Sequence, residues 1–117
     1  MPGVYVIRFG NRAYSGGSLR VYERVADHLR SLALGEHENP AVQAVHDESC
    51  SFKLTIRRMP GASEADVLAA ERKTMGHLLT TGAALLNHNI PHRADDYDGR
   101  FATSTAGREA VARRRRA

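Results

Sequence analysis

Tyr5 and Tyr14 near the N-terminus, Arg24 and His28 one helical turn apart, and Glu71 on a later helical stretch are residue types that could do chemistry together. Hydrolysis of a phosphodiester needs an activated water, neutralisation of the phosphoryl oxygens and help for the departing 3′ oxygen. A phenol can take the water's proton once its pKa, near ~10 when unperturbed, is lowered by a neighbouring cation. Arg24 offers charge-assisted hydrogen bonds to a phosphoryl group. A lone carboxylate at Glu71 suits one Mg²⁺ (or Mn²⁺), a hard cation that completes its shell with water and phosphate oxygens, rather than a two-metal clamp. Tyr5 or Tyr14 is then the base, and the other positions the phosphate. His28, on the same helix face as Arg24, can bond a phosphate or orient a tyrosine. Each residue also has a plainer reading. The tyrosines can be cross-strand aromatics, Arg24 and His28 a solvated helix face, Glu71 an amphipathic edge residue beside Arg72 and Lys73, and His37 a loop histidine.

These side chains need elements to hold them. Residues 4–9 are rich in β-branched and aromatic types, Gly10-Asn11 supplies a turn, and residues 12–15 return as a second strand. Gly16-Gly17 is expected to break the pairing and Ser18 to cap a helix over 19–34, with Leu19, Tyr22, Val25, Leu29 and Leu32 at helical spacing and Gly35 as its stop. After a polar Glu36-His37-Glu38 loop, Asn39-Pro40 starts a short second helix whose apolar face is Ala41, Val42, Ala44 and Val45. Residues 51–57 alternate, with Phe52, Leu54 and Ile56 on one face of a third strand. Ser63 and Asp66 form a capping box for a helix over 64–80, stopped by Gly82. Its apolar side carries Val67, Leu68, Met75, Leu78 and Leu79. Glu71 lies four residues from both Val67 and Met75, so its carboxylate is expected on the core side.

Gly3-Val4-Tyr5, Tyr14-Ser15-Gly16, Arg24 with His28, His37, Glu71 and an asparagine after Leu85-Leu86 occur in an order and spacing that resemble the GIY-YIG nuclease family. The resemblance covers residues 3 to about 90. It implies an α+β fold with a small three-stranded antiparallel sheet flanked by helices, and a metal-dependent endonuclease that cuts DNA and leaves a 5′ phosphate. Tyr5, Tyr14, Arg24, His28, Glu71 and Asn87 would be the catalytic set, with Asn87 a positioning residue. Asn89 is the second candidate for the family asparagine. Gly17 stands where several repair-type members carry lysine.

The 117 residues, 42% of them hydrophobic, suit one domain. Beyond Pro91 the composition becomes polar, which divides the chain into a domain over 1–92 and an Arg-rich tail over 93–117. Residues 100–117 hold six arginines against Glu109 alone, a net +5 where the whole chain carries +4. A basic tail on a near-neutral body fits a polyanion partner, with Arg113, Arg114, Arg115 and Arg116, together with Arg24 and His37, as nucleic-acid contacts. A solvated tail is the plainer alternative. No apolar run approaches a membrane span and no signal-peptide pattern opens the chain, so the expected location is cytoplasmic, at the nucleoid when bound to DNA. Cys50, the only cysteine, excludes an internal disulfide and reads as a small apolar residue before a strand. The sequence carries no zinc finger or helix-turn-helix reader. Low specificity or a recognition-subunit partner is therefore expected, and a double-strand break would require a homodimer or sequential nicking.

Overall fold

A computed structural model of the chain describes residues 1–87 and two short strands at 89–91 and 101–103. The hairpin consists of β1 (Gly3–Phe9) and β2 (Arg12–Ser18), paired in full register from Gly3↔Ser18 to Phe9↔Arg12. Gly10 takes φ 61° while Asn11 stays at negative φ, the sign pattern of a type II′ turn whose twist matches the flanking strands. Gly16-Gly17 therefore does not break the pairing. Both glycines stay in the ladder because their neighbours occupy the space that side chains would need.

Three helices follow the expected order: α1 (Val21–Leu34), α2 (Pro40–Glu48) and α3 (Glu64–Thr80). α1 starts two residues later than the spacing predicted. Its N-cap is Arg20, without a side-chain cap, while Ser18 Oγ accepts from the Arg20 N–H in the turn before the helix. With Leu19 ahead of the helix and Tyr22 on its outer face, both are exposed rather than part of the apolar stripe. Gly35 closes α1 in the left-handed conformation at φ 72°. Asn39 caps α2 by accepting from the Ala41 and Val42 N–H groups, and the Ser63–Asp66 capping box opens α3.

The sheet departs from the expected three antiparallel strands. β3 (Lys53–Arg58) pairs antiparallel with β1, and β4 (Ala84–Leu85) adds a fourth strand parallel to β2, giving the order β3-β1-β2-β4. A two-residue strand has no periodicity to read, and its parallel pairing depends on α3 crossing back over the sheet. Strand alternation divides the interior into two cores. Tyr5, Ile7 and Phe9 pack with Val21, Val25 and Leu32 of α1 and Ala41, Val42 and Val45 of α2. On the opposite face, Ala13 and Val6 pack with Met75, Leu78 and Leu79 of α3. Leu85 enters the α3 core and Leu86 the α1–α2 core, so the double leucine serves one layer each.

Three further side chains are more exposed than expected. Phe52 precedes β3 and rests its ring against Phe9 at 5.8 Å, Leu68 lies on the outer side of α3, and Cys50 is exposed. Within the segment read as a tail, β6 (Phe101–Thr103) pairs with β5 (Asn89–Pro91). The other tail residues, including Arg113, Arg114, Arg115 and Arg116, lie outside the described residues, as does the side chain of Asn89. Among the described residues, no helix is long and apolar enough to cross a membrane.

Candidate active site

Tyr5 projects from β1 into the α1–α2 core, where its ring is 2% exposed and its hydroxyl lies 2.6 Å from His28 Nε2. The cross-strand neighbour of Tyr5 is Gly16. A Cβ at Gly16 would fall on the Tyr5 hydroxyl and 2.5 Å from Cζ, so the second glycine motif is the space the first tyrosine needs. Tyr14, on the same sheet face, sets its ring edge-on to His28 at 5.4 Å and to His37 at 5.8 Å.

The two histidines form a chain with one direction. The Asn39 backbone N–H donates to His37 Nδ1 at 3.0 Å, which fixes that nitrogen as an acceptor and leaves the proton of a neutral His37 on Nε2. His37 Nε2 then donates to His28 Nδ1 at 2.7 Å, and His28 Nε2 donates to the Tyr5 oxygen. The chain requires both rings neutral. Burial pushes the His28 pKa down to about 4, aided by the nearby Arg24 charge, and burial also lowers His37. His37 is thus buried against His28 and Asn39, which corrects its reading as a nucleic-acid contact. Of the two roles open to His28, orienting a tyrosine is the one its contacts fill.

This protonation has a consequence for stability. Unfolded His28 takes a proton below its ordinary pKa of 6.5, whereas the folded ring refuses one until about pH 4. The unfolded state binds more protons in that window, so stability is whole above pH 6.5 and falls as pH drops toward 4. The loss attributable to this ring, 2% exposed, amounts to about 3 kcal/mol at most. Urea titrations at pH 7 and pH 4.5 should show wild type losing more stability than His28→Gln. Equal losses would mean the imidazole is not buried neutral.

Arg24 lies one turn before His28, and its guanidinium donates to Glu38 Oε1 at 2.7 Å. Burial works against the cation, but Glu38 and the two phenols together hold its pKa above the usual value. The same pair keeps the Glu38 carboxyl below its usual range. Glu38 was not singled out from the sequence, where it was one polar loop residue among three.

Glu71 sits on the other side of β2. A Cβ at Gly17 would stand 3.3 Å from Glu71 Oε2 and 2.8 Å from Val67 Cγ1, so Gly17 lets α3 settle directly on the strand. The tyrosines approach from one sheet face and the carboxylate from the other, with only the bare backbone of Gly16-Gly17 on β2 between them. The four groups nonetheless share one electrostatic field. Burial raises both phenol pKa values, the Glu71 charge raises them further, and the Arg24 charge pulls both down. Burial likewise holds the half-buried Glu71 carboxyl above its usual range, offset in part by Arg72.

Asn87 is buried and uses its amide as a substitute strand. Its Oδ1 accepts from the Ser15 N–H at 3.1 Å and its Nδ2 donates to the Ser15 carbonyl at 2.6 Å, continuing the ladder beyond β4. This places Asn87 as a positioning residue for the segment bearing Tyr14 and the glycines. Asn39 is the residue that sequence reasoning undervalued. Beyond capping α2 and orienting His37, it donates through Nδ2 to the Leu86 carbonyl at 2.8 Å, joining the histidine chain to the segment that delivers Asn87. Only its cap role was visible, because the other two partners are distant in sequence.

Glu71 is the one acid of the predicted set, and no cluster of three or more His, Cys, Asp or Glu side chains suited to a metal occurs among the described residues. A single half-buried carboxylate fits a cation that takes most of its shell from water and substrate phosphate. No family model matches the chain, and neither the curated proteins nor the solved structures contain a match to it.

Proposed function

We propose that the chain is a GIY-YIG-type endonuclease that hydrolyses DNA phosphodiester bonds. The observation that carries this reading is the shared field of Tyr5, Tyr14, Arg24 and Glu71 around the bare Gly16-Gly17 segment. Aliphatic packing would have isolated the acid, whereas here it acts on both phenols.

Tyr5 is the better base of the two. A hydrogen bond to the charged form favours that form, and His28 Nε2 holds a donor on the Tyr5 oxygen, with Arg24 lowering the pKa by its charge. The Tyr5 proton is free to point away from His28, toward the bond being cut. Tyr14, with its ring held between the histidine edges, positions the phosphate. Arg24 neutralises phosphoryl oxygens as negative charge develops there, exchanging Glu38 for the substrate. Glu71 would hold one Mg²⁺ (or Mn²⁺), which supplies Lewis-acid stabilisation of the phosphoryl group and leaving oxygen. Asn87 and Asn39 keep the strand and the histidines in place.

Incubation of supercoiled plasmid with protein and Mg²⁺ should yield nicked circles. The rate should climb as pH rises from 6 to 9, because the carboxyl that must ionise and the phenol that must lose its proton both sit above their usual ranges. A rate that declines over that interval would exclude a tyrosine base. The Arg24–Glu38 ion pair favours a second reading, a nucleic-acid-binding module with weak chemistry or a subunit needing a recognition partner. Retention on DNA without Mg²⁺-dependent nicking, alone or beside any partner, is its signature.

A further inference from the structure

A cleft of ≈ 450 Å³ opens beside Glu71 on the side of α3 away from the histidines. Glu71 and Val67 line its α3 wall, and Leu19 and Arg20 come from the turn between β2 and α1. Leu19 and Leu68, from separate elements, both line it and are each 45% exposed. They are two of six exposed large hydrophobic residues among the described ones. Leucines left in water at the edge of a proposed catalytic acid call for an apolar occupant.

The charge pattern narrows that occupant. Arg20 is mostly exposed and holds Glu23 only loosely at 3.7 Å, an ion pair weak enough to be exchanged for a phosphate. Glu64 lies elsewhere on the lining, so the cleft is not uniformly cationic and does not resemble a track for a run of phosphates. Two apolar walls, one exchangeable guanidinium and a neighbouring reactive carboxylate suit a flat heterocycle carrying a single phosphate. Apolar side chains inserted at a base step unstack it, and an extruded base finds its partners in a pocket of this type.

We infer that this cleft receives one unstacked nucleotide adjacent to the phosphate being cut, its base between Leu19 and Leu68 and its phosphate at Arg20. The inference rests on the nuclease reading of Glu71. It makes the substrate DNA that is unpaired, branched or readily opened at the cut, and it makes the two leucines determinants of that preference.

The test uses the full chain carrying Glu71→Gln, which binds without cutting, and duplexes in which 2-aminopurine walks along one strand. This base brightens when it leaves the stack. Binding should brighten one position several-fold, and Leu19→Ser with Leu68→Gln should remove the increase while circular dichroism stays unchanged. Both leucines are exposed, so neither change should disturb folding. No brightening at any position, or brightening that survives both changes, overturns the inference; a cleft that serves a protein partner gives the first of these results. Should the increase appear and depend on the leucines while wild type fails to nick plasmid, the nucleotide site stands and the nuclease reading falls.

Discussion

Glu71→Gln and Arg24→Ala should each lower Mg²⁺-dependent nicking by ~10²–10³-fold, the range seen when one preorganised stabiliser of transition-state charge is removed. Glu71→Gln keeps the size of a half-buried side chain that lies against Gly17, so the strand contact survives while the ionisable oxygen pair is lost. Arg24→Ala removes the cation within reach of both phenols and frees Glu38, whose uncompensated charge would then oppose the substrate phosphate. Initial rates with supercoiled plasmid, alongside circular dichroism, provide the measurement. Two folded variants that nick at the wild-type rate would remove both residues from the mechanism.

Gly16→Ala should act on stability and activity together. The three atoms nearest the new methyl would be the Tyr5 hydroxyl, Cζ and Cε1, all on one ring that is 2% exposed and has little room to retreat. Overpacking of this kind costs about 1–3 kcal/mol. Any shift that relieves it moves the Tyr5 oxygen off His28 Nε2. Thermal denaturation should record the lost stability, and nicking should fall at temperatures where the variant is still folded. A variant with unchanged melting temperature and rate would show that the hydroxyl is not held where the His28 contact places it.

The two effects trace to features of unequal visibility in the sequence. The α3 boundaries were legible because a capping box opens the helix and Gly82 follows its last turn, and both signals are local. Val25 and Leu32 revealed the buried stripe of α1, but the spacing ran back through Leu19. The chain there is still in the turn, because β2 continues to Ser18. That continuation could not be read from Gly16-Gly17, since the neighbours that require glycine are Tyr5 on another strand and Val67 and Glu71 on a distant helix. β4 escaped because two residues carry no pattern.

Within the site, the residue types were readable and their connections were not. Tyr5, Tyr14, Arg24, His28 and Glu71 were identified by chemistry and order, and all five fall within one electrostatic neighbourhood. The Glu38 partner of Arg24 and the triple attachment of Asn39 depend on a loop folding back across α1 and on the chain returning at Leu86. Neither leaves a periodic trace. His37 looked like a surface ligand for the same reason, its burial being decided by helices on either side.

The polarity of the histidine chain also limits where a proton from the attacking water can travel. Its far terminus is the peptide N–H of Asn39, a group with no titratable function at ordinary pH. A charge delivered to the Tyr5 end cannot be relayed inward, because every acceptor along the route is already filled from behind. The imidazoles therefore behave as a dead end, and the phenol must unload to bulk solvent or to the departing strand before the next turnover.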